Sequence, residues 1–159
     1  MGETLRSKFL RWGFNLFPAY RGSGARLTHL SGDFSRVRIK LPLNWRTRNY
    51  VNTIFGGSMY AAVDPIYMLM LIHILGPDYI VWDKSATIRF RKPGRATLFA
   101  EFHVPDHEAQ AIRDALKGQD KIDREYRVTL ADKDGVAHAE FTKVVHVRRK
   151  NGGTGDTGG

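Results

Sequence analysis

The chain has 159 residues, 42% of them hydrophobic, which is the length and apolar content of one domain with one buried core. It has no cysteine, which excludes disulfide scaffolds, thiolate metal sites and cysteine nucleophiles and favours a reducing, cytoplasmic location. The net charge is +9, and the excess lies mainly in residues 1–50, where ten lysines and arginines stand against two acidic residues; such a surplus attracts nucleic acid, anionic membrane or a phosphorylated substrate.

Residues 1–20 are predicted to form an amphipathic helix outside the main domain. Apolar residues recur at steps of four, three and four within residues 3–17, before Pro18 ends the pattern; they are Leu5, Phe9, Trp12 and Leu16. We expect this apolar face to pack on the domain or on a neighbouring subunit, and the alternative is a basic anchor on a membrane surface. Basic residues interrupt the segment, so it is unlike a secretory signal.

Residues 21–150 are predicted to form the main domain, followed by a disordered tail over residues 151–159, which has five glycines. Alternating apolar residues and turn signals predict three hairpins; they pair residues 25–31 with 34–41, 79–92 with 95–104, and 122–131 with 136–148. A short helix that begins at Asp106 and runs through Leu116 is expected between the second and third hairpins.

A helix over residues 57–75 is apolar on nearly every side, which is typical of a helix surrounded by protein. The order of the elements therefore indicates an α+β domain in which a largely antiparallel sheet of about six strands wraps around this central helix. The longest apolar run, Ile66 to Leu75, has ten residues, fewer than the roughly 20 that cross a bilayer. We expect a soluble protein.

Motifs of several enzyme classes are absent. The sequence has no phosphate-binding loop, no dinucleotide-binding glycine motif and no Gly-x-Ser-x-Gly nucleophile elbow. His103 and His107 have the spacing of metal ligands on one helix face, but Pro105 between them excludes a continuous helix. We therefore expect no metal site.

Two glycines at the start of the central helix are the first candidate for chemistry. The free N–H groups at a helix start, together with the positive end of the helix dipole, form a site for an oxyanion. Gly56 and Gly57 would let a ligand approach these groups closely. The alternative is that the pair only permits tight packing of the helix on the sheet.

A carboxylate in the same helix is the second candidate. Asp64 is the only charged residue between Val51 and His73, and an isolated carboxylate in apolar surroundings is unfavourable. The alternative is that Asp64 caps a helix that restarts at Pro65. Pro65 is also expected to kink the helix at this point.

The two candidates cannot serve the same substrate within one chain. Gly57 and Asp64 would lie about 10 Å apart along the helix axis at about 1.5 Å per residue, whereas a reacting carbonyl must lie within about 3 Å of both the oxyanion donors and the attacking group. Two such helices that run antiparallel across a two-fold axis would bring them together. A catalytic interpretation therefore requires a dimer.

The spacing of these residues resembles that of hotdog-fold acyl-CoA thioesterases of the phenylacetate-pathway type. That family has Asn, five residues, His-Gly-Gly, six residues and Asp, and here the pattern is Asn49, Phe55-Gly56-Gly57 and Asp64, with Phe55 in place of the histidine. The segment from Ile88 to Gly94 resembles the family's third strand and its Pro-Gly turn. The segments around Gly56 and Asp64 are similar to a largely uncharacterised group described as tetrameric acyl-CoA thioesterase-like.

The resemblance covers residues 25–148 and implies a hotdog fold, homodimers that share a continuous sheet, and in some members tetramers. It implies that Asp64 activates water or attacks the thioester carbonyl, that Asn49 orients the water, and that the N–H of Gly56, with that of Gly57, holds the carbonyl oxygen across the interface. No cofactor is required. Asp83 is either a second polar group in the pocket or an exposed strand residue.

The implied substrate is an acyl-CoA, whose phosphates need cations near the pocket mouth. The candidates are Arg89, Arg91, Lys92 and Arg95, or Arg148, Arg149 and Lys150. The acyl group would contact Phe55, Tyr60, Met68, Met70 and Leu71. The alternative is that the cations form a solvated basic strand face and that some of the apolar residues are plain core positions. The alternative functions are a non-catalytic binder of acyl-CoA or fatty acyl groups, and a basic module that attaches to a membrane surface or nucleic acid, although nucleic acid is not expected as a partner.

Overall fold

The structure, a computed structural model, describes residues 2–150. The elements in chain order are helices α1 (Leu5–Leu16) and α2 (Pro18–Gly22), strands β1 (Arg26–Leu30) and β2 (Arg36–Leu41), helices α3 (Gly56–Val63) and α4 (Ile66–Leu75), strands β3 (Tyr79–Phe90) and β4 (Leu98–His103), helix α5 (Asp106–Gly118), and strands β5 (Lys121–Ala131) and β6 (Ala137–Arg149). The tail predicted over residues 151–159 lies outside the described residues.

One antiparallel sheet has the strand order β1-β2-β4-β5-β6-β3, so β1 and β3 form its edges. The alternation in β2 shows why these segments are strands: Val37, Ile39 and Leu41 are buried, whereas the basic residues between them are not. The sheet packs on α3 and α4, which confirms the predicted α+β fold with six antiparallel strands around a central helix.

The prediction that residues 79–92 pair with residues 95–104 in a hairpin is wrong. Strand β3 pairs with β6 along its whole length, and β4 lies between β2 and β5. The connection that was predicted as a turn runs over residues 91–97, and the carbonyl of Gly94 within it accepts a hydrogen bond from the N–H of Ile54 (2.8 Å). Because the connection is long and tied to the loop before α3, it carries the chain away from β3 instead of folding β4 back onto it.

The central helix is interrupted at Asp64 and Pro65, as predicted. Pro65 has no N–H to donate, so α3 ends before it and α4 begins after it. Taken together, the stretch Gly56–Leu75 has 20 residues and a mean hydropathy of 1.5, which is long and apolar enough to cross a membrane. The ten-residue apolar run from Ile66 to Leu75, which was judged too short for this, is only the second half of the stretch. Its inward side chains, such as Val63, Met70 and Leu71, belong to the hydrophobic core, as in the core helix of a globular domain.

Helix α1 packs on the domain through a face other than the one predicted. Ser7 is buried, and Leu10 and Phe14 pack against the core. The predicted apolar face is exposed instead, with Phe9 72% and Trp12 62% accessible. The domain does not cover this face, because α1 is held by its opposite side and by hydrogen bonds between the Asn15 side chain and the backbone of Leu27. Packing on a neighbouring subunit stays a prediction.

Candidate functional site

A charged cluster lies where the kink of the central helix faces the sheet. Lys143, in β6, is completely buried, and its ammonium donates a hydrogen bond to Oδ1 of Asp64 (2.7 Å). The same nitrogen lies 3.1 Å from Oδ1 of Asp83, in β3. A lysine is almost never fully buried unless it is paired, and here two carboxylates from different elements pair with it.

The fold brings these groups together through the alternation of β6. Phe141, Val145 and Val147 point into the core, and Lys143 occupies the inward position between the first two of them. Across the strand pair, a bulge between Asp83 and Ser85 shifts the register of β3. Asp64 reaches the cluster from above the sheet, at the last turn of α3.

Asp64 serves the cluster and not the helix that follows it. The first residue of α4 is preceded by Pro65, and no side chain caps that helix. The carboxylate of Asp64 contacts Lys143 and also accepts a hydrogen bond from the Tyr60 hydroxyl, which together with burial raises the pKa of Tyr60 to about 12. With 39% of its side chain accessible, Asp64 remains open to a reactant.

Asp83 is the least satisfied member of the cluster. Burial raises its pKa, and the nearby negative charge of Asp64 adds to that effect, whereas Lys143 opposes it. Among the described residues, its Oδ1 has no hydrogen-bond partner of good geometry, although the ammonium lies close by. Its side chain is only 19% accessible, so the expectation of an exposed strand residue is wrong, because β6 and the helix cover it.

The start of α3 forms the second part of the candidate site. Phe55 precedes the helix, and no side chain caps it, so no side chain occupies the N–H groups of Gly56 and Gly57. Two phenyl rings lie beside these glycines: a Cβ on Gly57 would lie 2.3 Å from the ring of Phe55, and one on Gly56 would lie 3.1 Å from the ring of Phe90. Only glycine allows the rings this close.

A cleft of about 360 Å³ opens at this helix start. It is lined by Gly56 together with Phe90, Arg91, Lys92 and residues of the neighbouring loops, and this lining contains no carboxylate. Asp64 is separated from the cleft by the length of α3, about 10 Å at about 1.5 Å per residue. One chain therefore presents the amide donors and the acid in different places, as the sequence argument anticipated.

The other predicted site residues are distributed around these two parts. Asn49 is engaged in its own loop, where its side-chain oxygen accepts from the N–H groups of Val51 and Thr53 and its amide donates to the Thr53 hydroxyl (3.0 Å). Arg91 pairs with Glu140 (2.7 Å). Six further candidates are exposed or half-buried, namely Phe55, Tyr60, Met68, Arg89, Lys92 and Arg95. Met70 and Leu71, by contrast, are buried in the hydrophobic core. Their roles stay predictions.

Sequence reasoning missed Lys143. The signal was present in the sequence, because Phe141, Val145 and Val147 are apolar residues at alternate positions of the strand predicted over residues 136–148, and a lysine at the same parity must point into the core. Within residues 2–150, no group of three or more histidine, aspartate or glutamate side chains is arranged to hold a metal ion.

Comparisons with known proteins agree with this architecture. A family described as a domain of unknown function (DUF4442) matches residues 6–147, whereas no curated protein sequence matches. Protein PA5026 of Pseudomonas aeruginosa, described as of unknown function and a "probable thioesterase", has a TM-score of 0.80 at 18% identity, over 94% of this chain and 100% of that chain.

Two further structures are similar to the chain. Thioesterase HI1161 of Haemophilus influenzae has a TM-score of 0.68 at 13% identity, over 92% of this chain and 93% of that chain. The PaaI protein of the E. coli phenylacetic acid degradation operon has a TM-score of 0.61 at 14% identity, over 92% and 93%. These similarities confirm the predicted hotdog fold.

Proposed function

We propose that this chain, which belongs to the family described as a domain of unknown function (DUF4442), hydrolyses the thioester bond of an acyl-CoA. The observation that carries the proposal is the orientation of Asp64, a partly accessible carboxylate held by a buried ammonium and a tyrosine hydroxyl. The thioesterases with the same fold support the general class of reaction.

The reacting centre lies between two copies of the chain. The edge strand β3 has twelve residues and pairs on one side only, with β6, so a second copy of β3 can extend the sheet. Two side chains of the central helix, Tyr60 and Ile72, are also exposed. Such a homodimer, alone or as half of a tetramer, would bring the cleft at Gly56 of one copy to Asp64 of the other.

Hydrolysis then needs one water molecule and no cofactor. Asp64 accepts a proton from the water, whose oxygen attacks the thioester carbonyl carbon. The N–H groups of Gly56 and Gly57 stabilise the negative charge that forms on the carbonyl oxygen. The bond between carbon and sulfur breaks, the thiolate of CoA takes the proton from Asp64, and a carboxylic acid is left.

Asp64 can instead attack the carbonyl carbon itself; the bond between carbon and sulfur then breaks, CoA leaves as its thiolate, and an acyl-enzyme anhydride remains. Water cleaves the anhydride to the carboxylic acid and free Asp64, and its proton goes to the thiolate. In a single turnover in water enriched in oxygen-18, label found on Asp64 would identify the covalent route. Attack by water labels only the acid product, whereas a covalent intermediate that water opens at the aspartyl carbonyl labels Asp64.

The substrate would lie along the cleft. Lys92 and Arg91 border the cleft, and such cations suit the phosphates of CoA. Arg89 and Arg95, close to them in sequence, are exposed. Phe55, Tyr60 and Met68 would contact the acyl group.

The experiment is thiol release from a panel of acyl-CoA esters of increasing chain length. We expect Asp64→Asn to lower turnover by about 10²–10⁴-fold, the range for a general base. Asp114→Asn is the matched control, because Asp114 pairs with Lys117 on the exposed surface of α5. Wild-type turnover in Asp64→Asn would contradict the proposal.

A second candidate is a protein that binds acyl-CoA without hydrolysing it. Two observations favour it: Phe55 provides no side-chain donor beside the oxyanion site, and Lys143 engages the carboxylate that must accept a proton. Calorimetric binding of the acyl-CoA panel without thiol release from any member would support this candidate over the hydrolase.

A further inference from the structure

An exposed apolar stripe and an arginine-lined cavity adjoin each other at α1. The stripe consists of the apolar residues along the outer face of the helix and just after it, namely Leu5, Phe9, Trp12, Leu16 and Phe17. We propose that the stripe and the cavity together dock the protein on an anionic phospholipid bilayer, with the phosphate of a lipid headgroup held in the cavity. This inference is independent of the proposed hydrolysis.

The stripe is presented outward by a helix that is fixed to the domain. Leu5 is 86% accessible and Phe17 57%, whereas Ser7 on the opposite side is fully buried. The start of the helix is closed by a capping box between Thr4 and Ser7. A rigid amphipathic helix of this kind can place its apolar side chains at the boundary between headgroups and acyl chains.

The cavity has a volume of about 580 Å³ and lies between α1, α2, the start of β1 and the loop after β2. Three arginines line it, Arg21, Arg26 and Arg46, and its lining contains no aspartate or glutamate. Guanidinium groups hold phosphate by paired hydrogen bonds. Trp45, 86% accessible, lies at the cavity with the Arg46 guanidinium 6.0 Å from its ring, and tryptophan is typical of membrane interfaces.

The stripe runs directly into the cavity, because Trp12 and Leu16 belong to both. Exposed Arg6 and Lys8 flank the stripe on the same helix. A bilayer surface has the matching order, since its phosphates lie just above its acyl chains. An anionic bilayer would therefore bury the apolar side chains among its acyl chains and pair its phosphates with the arginines.

Charge favours this occupant over a second copy of the chain. The first 50 residues carry eight more basic than acidic residues, ten against two, and both acids are already engaged: Glu3 pairs with Arg11 (2.8 Å), and Asp33 accepts hydrogen bonds from Ser31 and Ser35. A two-fold interface at this surface would place the same cations opposite each other. Nucleic acid would match the arginines but would leave the stripe uncovered.

The experiment is co-sedimentation of the full chain with vesicles of phosphatidylcholine alone and with vesicles that also contain phosphatidylglycerol. We expect binding to the anionic vesicles only, weakened at high salt. Two double variants should each bind anionic vesicles at least about tenfold more weakly than the wild type. One removes the stripe (Phe9→Ser, Trp12→Ser), and the other removes cations of the cavity (Arg26→Gln, Arg46→Gln). All four side chains are exposed, and circular dichroism verifies that the variants fold.

Matched controls come from the sheet, where Phe99→Ser and Arg127→Gln change an exposed aromatic and an exposed arginine far from α1 in sequence. They should bind like the wild type. Equal binding to both kinds of vesicle, or unchanged binding of the stripe variant, would overturn the proposal. A lower mass of the lipid-free Phe9→Ser, Trp12→Ser variant in sedimentation velocity would also overturn it, since a second copy would then cover the stripe in the wild type. Binding to duplex DNA that exceeds binding to anionic vesicles would do the same.

Discussion

Among the residues that the structure describes, two clusters that pair a buried or partly buried cation with carboxylates differ in how well their hydrogen bonds are satisfied. In the first, Arg124 donates two hydrogen bonds to Glu108 (2.9 and 2.7 Å), and the Tyr126 hydroxyl donates a third (2.7 Å). In the second, Lys143 is shared between Asp64 and Asp83, and an oxygen of Asp83 is buried without a well-aligned donor.

The pKa values move in opposite directions. The hydrogen bonds from Arg124, joined by that from Tyr126, lower the pKa of Glu108. Burial raises the pKa of Asp83, and the ammonium of Lys143, which also pairs with Asp64, opposes this effect without cancelling it. The first cluster is saturated, in the sense that its carboxylate is fully engaged by hydrogen bonds, so it stabilises the fold and does not bind a substrate. The second cluster is unsaturated and includes the accessible carboxylate of Asp64, which is what a proton-transfer site needs.

The largest effect is expected from Lys143→Met. Removing one partner of a buried ion pair costs about 3–5 kcal/mol, and loss of the ammonium also releases Asp64 from its orientation. We expect both a lower free energy of unfolding in urea and loss of thiol release. Arg124→Met is the matched control: it should lose comparable stability, while the molecules that remain folded keep their turnover. Equal loss of turnover in both variants would remove the distinction between the clusters.

Glu108→Gln tests the saturated cluster through pH. The lowered pKa of Glu108 means that its contribution to stability is fully present above about pH 4.5 and is lost as the pH falls through the folded-state pKa. The variant should therefore be less stable than the wild type by about 2 kcal/mol at pH 7. This difference should shrink below pH 4.5 in urea unfolding curves, and a constant difference would contradict the assignment.

For Asp83→Asn, the pH dependence of stability relative to the wild type should have the opposite sign. A raised pKa means that the charged form of Asp83 is disfavoured in the fold, so wild-type stability declines as the pH rises above about 3.8 through the folded-state pKa. The variant lacks this titration. We expect the stability of Asp83→Asn relative to the wild type to improve from pH 4 to pH 7, measured as above. Parallel pH profiles for Asp83→Asn and Glu108→Gln would show that the two carboxyl groups are equivalent.

Tyr60→Phe should have the smallest effect. The pKa of Tyr60 is raised to about 12, so its hydroxyl remains a donor to Asp64 throughout the neutral range. One hydrogen bond at a partly exposed site contributes about 1 kcal/mol, which corresponds to roughly a fivefold loss of turnover. Tyr126→Phe removes the corresponding hydroxyl from the saturated cluster and should leave turnover unchanged. A fall in the Tyr126→Phe rate alone would reverse the proposed roles.

Local patterns in the sequence predicted much of the fold. The alternation in β2 and the uniform apolarity of residues 57–75 were enough to predict a sheet around a central helix, because each pattern reflects which faces of an element are buried. The pairing of β3 with β6 was not predicted, since strand order depends on the path of the connections. The Gly-rich helix start and the acid at its far end were predicted as candidates by residue type and spacing.

By itself, the sequence determined which segments are helices and strands except for the short helix α2, which was not predicted. It also determined that Pro65 interrupts the central helix and that the acid and the glycines are too far apart to act within one chain. These follow from backbone sterics and the rise of a helix, which are local. Only the tertiary structure decided that Lys143 lies between Asp64 and Asp83 and that the stripe on α1 faces outward. Those outcomes depend on which surfaces meet across the domain, and long-range packing is not encoded in any single stretch of residues.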